Sequence, residues 1–146
     1  MELIIYGLYT FLAAYNAGNM CSLQIQHYGI YPYVGKENFK SYMSANNKAA
    51  LIPAVLPGML MLILSIVLMF SRPAFMTSAE AILSLALNIV AFISTFKWQR
   101  KLQSEMAETG YDEKKINLLL STNWIRTIAF IILGILTISF LVIAIK

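Results

Sequence analysis

Four stretches dominate the hydrophobic pattern of the chain: Leu3 to Leu23, Ile52 to Phe70, Ala79 to Phe96 and Ile125 to Ile145. Each approaches the ~20 apolar residues that an α-helix needs to cross the hydrocarbon core of a bilayer. None alternates polar and apolar positions as a membrane-barrel strand does. Backbone polar groups cannot stay open in lipid, which favours helices. The pattern therefore predicts an all-α integral membrane four-helix bundle. It forms a single transmembrane domain over residues 1–146, with spans of about 3–25, 52–70, 78–97 and 124–145.

The links between spans are unequal. Ser71-Arg72-Pro73 closes the second span, because proline cannot continue a helix, and a tight turn leads into the third. Gly29 to Gly35 (GIYPYVG) reads as a loop punctuated by glycine and proline. Lys36 to Ala50 follows as an amphipathic helix. At ~100° per residue Phe39, Tyr42, Met43, Asn46 and Ala50 share one face, with Lys40 and Lys48 off it. Pro53 and Pro57 fall in the opening turns of span two, the first tolerated there and the second a source of a kink. Lys97 to Thr122 reads as a helical extension of span three, a turn at Thr109-Gly110, and a short helix from Asp112 running into span four. Asp112 and Glu113, followed by Lys114 and Lys115, suit such a helix start.

Composition agrees with lipid as the solvent. Apolar residues make up 59% of the chain and charged ones 12%, against roughly 45–50% and 25% in soluble domains. Cys21 is the only cysteine, which excludes an internal disulfide and a Cys-based zinc ring. No basic run interleaved with aromatics points to nucleic acid. Met1-Glu2 opens the chain without a basic region, so the first span is expected to be retained rather than cleaved. The placement of charge says more than its sum. Arg72 and Lys146 lie on the side of the termini and the 71–78 turn. Lys36, Lys40, Lys48, Lys97, Arg100, Lys101, Lys114, Lys115 and Arg126 lie on the other. The positive-inside rule puts the second set in the cytoplasm, with both termini outside an inner membrane. Cys21, near the cytoplasmic end, should remain a reduced thiol.

Polar residues inside the spans fall into stripes. In span one they are Tyr9, Asn16, Asn19 and His27. In span three they are Ser84, Asn88, Thr95 and Gln99, with Glu80 at the far edge. In span four Asn123, Arg126, Thr127, Gly134 and Thr137 share a face. Polar groups in membrane helices turn towards the bundle interior or a cavity. Many only bond helix to helix, at ~0.6 kcal/mol per pair on average. At the cytoplasmic boundary, however, all four spans contribute: His27, Asn46, Gln99, and Asn123 with Arg126. Tyr28, Tyr42, Trp98 and Trp124 lie at the same depth. Convergence there makes His27, Asn16, Asn19, Tyr42, Asn46, Gln99, Asn123, Trp124 and Arg126 the candidate ligand-binding residues.

His27-Tyr28, Val34-Gly35, Phe39, Tyr42, Gly110 and the run Asn123-Trp124-Ile125-Arg126-Thr127 resemble a family of small bacterial four-span proteins. That family is similar in layout to the anthrone-oxygenase-like membrane family, with its long first loop and a Trp/Arg signature opening the last span. The resemblance runs from about Met20 to Thr127. It implies a four-helix membrane bundle and, more loosely, a link to the oxidation of lipophilic aromatic compounds. The family pattern has proline where this chain has Gly29, and histidines where it has Asn46 and Gln99. Three imidazoles in one layer could hold a transition metal, but one imidazole with two carboxamides is a poor substitute. No metal and no cofactor are expected.

Two functions follow from the same layer. In the first, the protein is a structural or accessory subunit of a membrane assembly, or a homo-oligomer, and the polar layer is a hydrogen-bonded clasp. In the alternative, the layer is an intramembrane pocket that binds or oxidises a small lipophilic molecule. His27 would then serve as acid, base or donor, Arg126 would hold an anionic or carbonyl oxygen, and the 36–50 helix would act as a lid. Channel or transport activity fits less well, since neither paired broken helices nor an acidic ring is present. A clasp is filled by direct hydrogen bonds, whereas a pocket leaves space.

Overall fold

A computed structural model of the chain describes residues 1–145. Lys146, which the charge count assigns to the outer side, lies outside the described residues. Among those residues the secondary structure is helical throughout, with no strand. The α-helices are α1 (Glu2–Ser22), α2 (Phe39–Ala49), α3 (Leu56–Phe70), α4 (Ser78–Ser94), α5 (Lys101–Thr109) and α6 (Glu113–Ile145). π-Helical turns at Leu23–His27, Leu51–Val55 and Thr95–Arg100 extend α1, precede α3 and join α4 to α5.

Three continuous rods are long and apolar enough to cross a membrane: Leu51–Phe70, Ser78–Thr109 and Glu113–Ala144. α1 has 21 residues but is more polar, because Tyr6, Tyr9, Tyr15, Asn16 and Asn19 interrupt its apolar run. α1 packs against α6 and α3, and α4 packs against α3 and α6, so the four close into a ring. α2 lies against α5 at one end.

The solvent preference of the ring is inverted. Asn16, Ser65, Ser84, Asn88, Asn123, Thr127 and Thr137 are buried, whereas Ile4, Phe11, Ile52, Ile63, Ile82, Ile93 and Ile135 are exposed. The closest seam is α1 with α6. A Cβ built on Gly134 would stand 3.5 Å from Ala17 Cβ and 3.7 Å from the Ala13 carbonyl oxygen. Small residues let two backbones approach in this way. The Tyr6 hydroxyl donates to the Thr137 carbonyl (2.9 Å) at one end of that seam, and Gln24 Nε2 donates to the Leu120 carbonyl (3.2 Å) at the other.

The connections follow local chemistry. Thr77 caps α4: its hydroxyl accepts from the Glu80 N–H (3.3 Å), while the Thr77 N–H donates to Glu80 Oε2 (2.7 Å). Glu80, expected at the edge of the span-three stripe, is instead half of a capping box. Arg72 donates to the Met69 and Met76 carbonyls and to Ser78 Oγ, which fixes the tight turn. α5 ends at Gly110, whose φ of 91° and ψ of −155° belong almost to glycine alone. Asp112 Oδ1 then accepts from the Lys114 and Lys115 N–H groups and starts α6. One expectation changes. GIYPYVG is not an open loop: Tyr28–Tyr33 forms a 3₁₀-helix with Tyr31 fully buried.

Candidate functional site

The polar residues at the α2–α5 end form two hydrogen-bonded groups. The first centres on Tyr28. Its hydroxyl accepts from Arg126 Nη2 (2.7 Å) and from Gln103 Nε2 (3.0 Å). Arg126 Nε donates to Asn123 Oδ1. Asn123 Nδ2 in turn donates to Gln24 Oε1 (2.7 Å) and Thr127 Oγ1 (3.2 Å). The second group joins His27, Asn46 and Tyr31. His27 Nε2 lies 2.9 Å from Asn46 Oδ1, and Asn46 Nδ2 donates to the Tyr31 hydroxyl (3.1 Å). A carboxamide oxygen only accepts, so Nε2 is the protonated ring nitrogen.

A cavity of about 180 Å³ is lined by members of both groups. For scale, an apolar cavity of roughly 150 Å³ admits benzene. His27, Asn46, Gln99, Arg126 and Tyr28 supply polar wall; Leu23, Ala50 and Ala54 supply apolar wall. Three π-turns meet around it, since Leu23 and His27, Pro53 to Val55, and Thr95 to Arg100 all come from such turns. π-Turns recur at functional sites because the extra residue opens the helix wall.

Proline accounts for one of these turns. Pro53 has no N–H, and the Ala50 carbonyl receives both Ala54 N (3.1 Å) and Val55 N (3.3 Å). Pro57 likewise cannot donate to the Pro53 carbonyl four residues back. Asn19 Nδ2 (2.7 Å) and the Tyr15 hydroxyl (2.9 Å) donate to that carbonyl instead, pinning α1 to the wall of the cavity. At the third turn the Thr95 hydroxyl donates back to the Ala91 carbonyl (2.8 Å), which loosens the α-helical ladder there. Nothing in the local sequence accounts for the π-turn at Leu23–His27.

The predicted residues separate by position. His27, Asn46, Gln99 and Arg126 face one space; Asn19 also borders it. Asn123 stands behind Arg126 and positions it. Asn16 lies deeper, donating to the Leu12 carbonyl and Met61 Sδ, and takes no part in the cavity. Tyr42 stacks edge-on against Tyr31 (5.8 Å between centroids) rather than lining the space. Trp124 is 46% exposed on the outer face of α6 and belongs to neither group. Gln24, Tyr28, Tyr31 and Gln103 are not among the candidate ligand-binding residues read from the sequence, Tyr28 being placed in the layer by depth alone. Tyr31 is four residues from His27 and Gln103 four from Gln99, spacings that a helix through both segments would have revealed.

The electrostatics are one-sided. Arg126 is 5% exposed and Arg100 stands at the same wall, yet no acidic side chain lines the cavity. Among the described residues the one ion pair is Lys115 with Glu105 (3.1 Å), on the α5–α6 hairpin. Burial lowers the His27 pKa from its usual 6.5, against the opposing hydrogen bond to Asn46 Oδ1, and so favours the neutral ring at pH 7. Burial also raises Tyr31 and Tyr42 above the usual phenol value, keeping both hydroxyls protonated. Gln99 Nε2 donates to Thr122 Oγ1 (3.0 Å) and the Leu119 carbonyl (3.4 Å), while its buried Oε1 has no donor. Among the described residues no three His, Cys, Asp or Glu side chains converge.

No family model matches the chain, and neither does any curated protein or solved structure. The chemistry is therefore read from the cavity itself.

Proposed function

We propose that the protein is a four-span inner-membrane protein that binds a small lipophilic molecule in the cavity between His27 and Arg126. The observation carrying this reading is the cavity of about 180 Å³ on which His27 and Asn46 of one hydrogen-bond group and Tyr28, Gln103 and Arg126 of the other converge. The fourth crossing is α1. Its polar Tyr9 and Asn16 are buried, and the surface it turns outward is Leu3, Ile4, Leu8 and Phe11. Basic residues gathered beside α2, α5 and the start of α6 put that end in the cytoplasm.

Within the cavity, Arg126 offers guanidinium N–H groups beyond the two held by Asn123 and Tyr28. Neutral His27 offers a ring nitrogen at the opposite group. This set orients a polar head and leaves apolar wall for a ring or chain. An oxidative step, as the resemblance to the anthrone-oxygenase-like family would imply, has no further support among these residues, and we keep to binding.

The test is mass spectrometry of small molecules extracted from protein purified in a mild neutral detergent. Wild type should carry a specific compound that His27→Ala loses in part and a cavity-filling Ala54→Trp loses fully. Identical extracts from wild type and Ala54→Trp would overturn the reading. A stoichiometric partner chain without any bound compound would favour the accessory-subunit function instead.

A further inference from the structure

A second, narrower space adjoins the cavity. This groove of about 30 Å³ lies between α3 and α4 and is bordered by Gly58, Met59, Phe92, Phe96 and Phe130. It shares Ala54, Val55, Thr95 and Arg126 with the main cavity. Arg126 thus stands where the two meet. Met59, Phe92 and Phe96 are 44%, 37% and 46% exposed, so the groove borders the outer surface of the ring. Gly58 keeps it open: a Cβ there would reach only as far as the Phe130 ring, 4.0 Å away, and any longer side chain would enter the groove.

Charge and shape agree on an occupant. Arg126 is buried and, among the described residues, has neither a carboxylate partner nor acceptors for all five of its N–H groups. A buried cation is normally paired. The groove beside it is too narrow for a second ring and wholly apolar in lining apart from Asn88, Thr95 and Arg126. We infer that the ligand is a single-chain amphiphile with an oxyanion head: the head pairs with Arg126 in the cavity, and the chain leaves between α3 and α4 into the lipid. This inference rests on the binding function proposed above and adds its ligand class. Carboxylate and phosphate monoester heads share the required chemistry, since both accept from a guanidinium in forked geometry. A site at the bilayer boundary suits such a molecule, whose head already lies at that depth in a leaflet.

The experiment uses the full chain in a neutral maltoside detergent, with cis-parinaric acid as a fluorescent single-chain probe. Competitors are oleate, its methyl ester, dodecyl phosphate and octanoate. Oleate or dodecyl phosphate should displace the probe at least about tenfold more tightly than methyl oleate, the scale of one charge-assisted hydrogen bond. Whichever of the two anions is stronger identifies the head. Arg126→Gln should erase the acid-over-ester preference and Arg126→Lys should restore part of it. Gly58→Leu should weaken oleate and leave octanoate unchanged, which also reports that the head site is folded. Because the acid–ester comparison is made on wild type, it does not depend on any variant folding. Equal binding of oleate and its ester would overturn the anion while leaving a lipophilic pocket intact. Absence of any displaceable probe binding would overturn the inference along with the pocket it rests on.

Discussion

Replacing Tyr28 by phenylalanine removes one oxygen atom from the wall of the cavity. That oxygen accepts two hydrogen bonds, from Arg126 Nη2 at 2.7 Å and Gln103 Nε2 at 3.0 Å. Tyr28, Gln103 and Arg126 are 2%, 6% and 5% exposed, so both donors lose a buried acceptor. A bond from a charged donor contributes roughly 1.5–3 kcal/mol and a neutral one about 1 kcal/mol. Membrane pairs average lower, near ~0.6 kcal/mol, because the unfolded chain in a bilayer also finds partners. Tyr28→Phe should therefore cost about 2–3 kcal/mol, read as a shifted midpoint in an SDS titration of the detergent-solubilised protein. Tyr15→Phe is the control. It removes one neutral bond to the Pro53 carbonyl on the outer face, where Asn19 still donates, and should cost under ~1 kcal/mol. In an Arg126→Met background the Tyr28 change should cost only its Gln103 part. If Tyr28→Phe proves no more costly than Tyr15→Phe, the two hydrogen bonds to the Tyr28 hydroxyl contribute nothing net to the fold, and the magnitude argued from them is wrong.

Three further outcomes are expected. The His27 pKa is lowered in the fold, so the unfolded chain binds its proton more readily; stability should be flat above the unfolded value of 6.5 and fall as pH drops through it, and His27→Gln should flatten the profile in thermal unfolding. Gly110→Ala meets nothing within 4 Å at its new Cβ, so its cost is backbone strain alone, about 1–3 kcal/mol; an unchanged unfolding midpoint would mean that the α5–α6 corner relaxes freely. In a Cys21→Ser background, an impermeant thiol reagent should label a cysteine placed at Ser78 in intact cells and spare one placed at Glu108; the reverse pattern would invert the topology.

Much of this arrangement was legible because helical period is a strong signal. The amphipathic face of α2 emerged correctly, with Phe39 and Met43 buried and Lys40 and Lys48 exposed. Gly110 and Asp112 were visible as stop and start signals. His27, Asn46, Gln99 and Arg126 converged because each lies at one end of an apolar stretch and alternating direction gathers those ends, although the helices carrying Gln99 and Arg126 run on well beyond them. Depth, however, is not direction: Trp124 shares the layer's height yet points outward. Asn16 and Asn19 share a stripe with His27, but their amides bond helix to helix, which no spacing rule distinguishes from binding. The run GIYPYVG looked like punctuation, while its Tyr31 ring packs against Phe39 and His27 and the segment forms a 3₁₀-helix. The capping box at Thr77 and Glu80 was readable as T-x-x-E, yet the stripe drawn through span three absorbed Glu80 first.

Each π-turn is one residue longer than the α-helical turn it replaces. An α-helix advances ~100° and 1.5 Å per residue, so the extra residue shifts the phase of everything beyond it by about that angle. Deleting Phe96, which is 46% exposed, would restore a regular ladder through Thr95–Arg100. The same deletion would swing Gln99, Gln103 and Met106 away from α6 and α2. A point substitution changes the chemistry of one wall of the cavity, whereas a one-residue insertion or deletion at these turns changes which wall is presented. Chain length at three positions is thus a rotational setting for the site, and the region should tolerate exchange of side chains far better than any change in the number of residues.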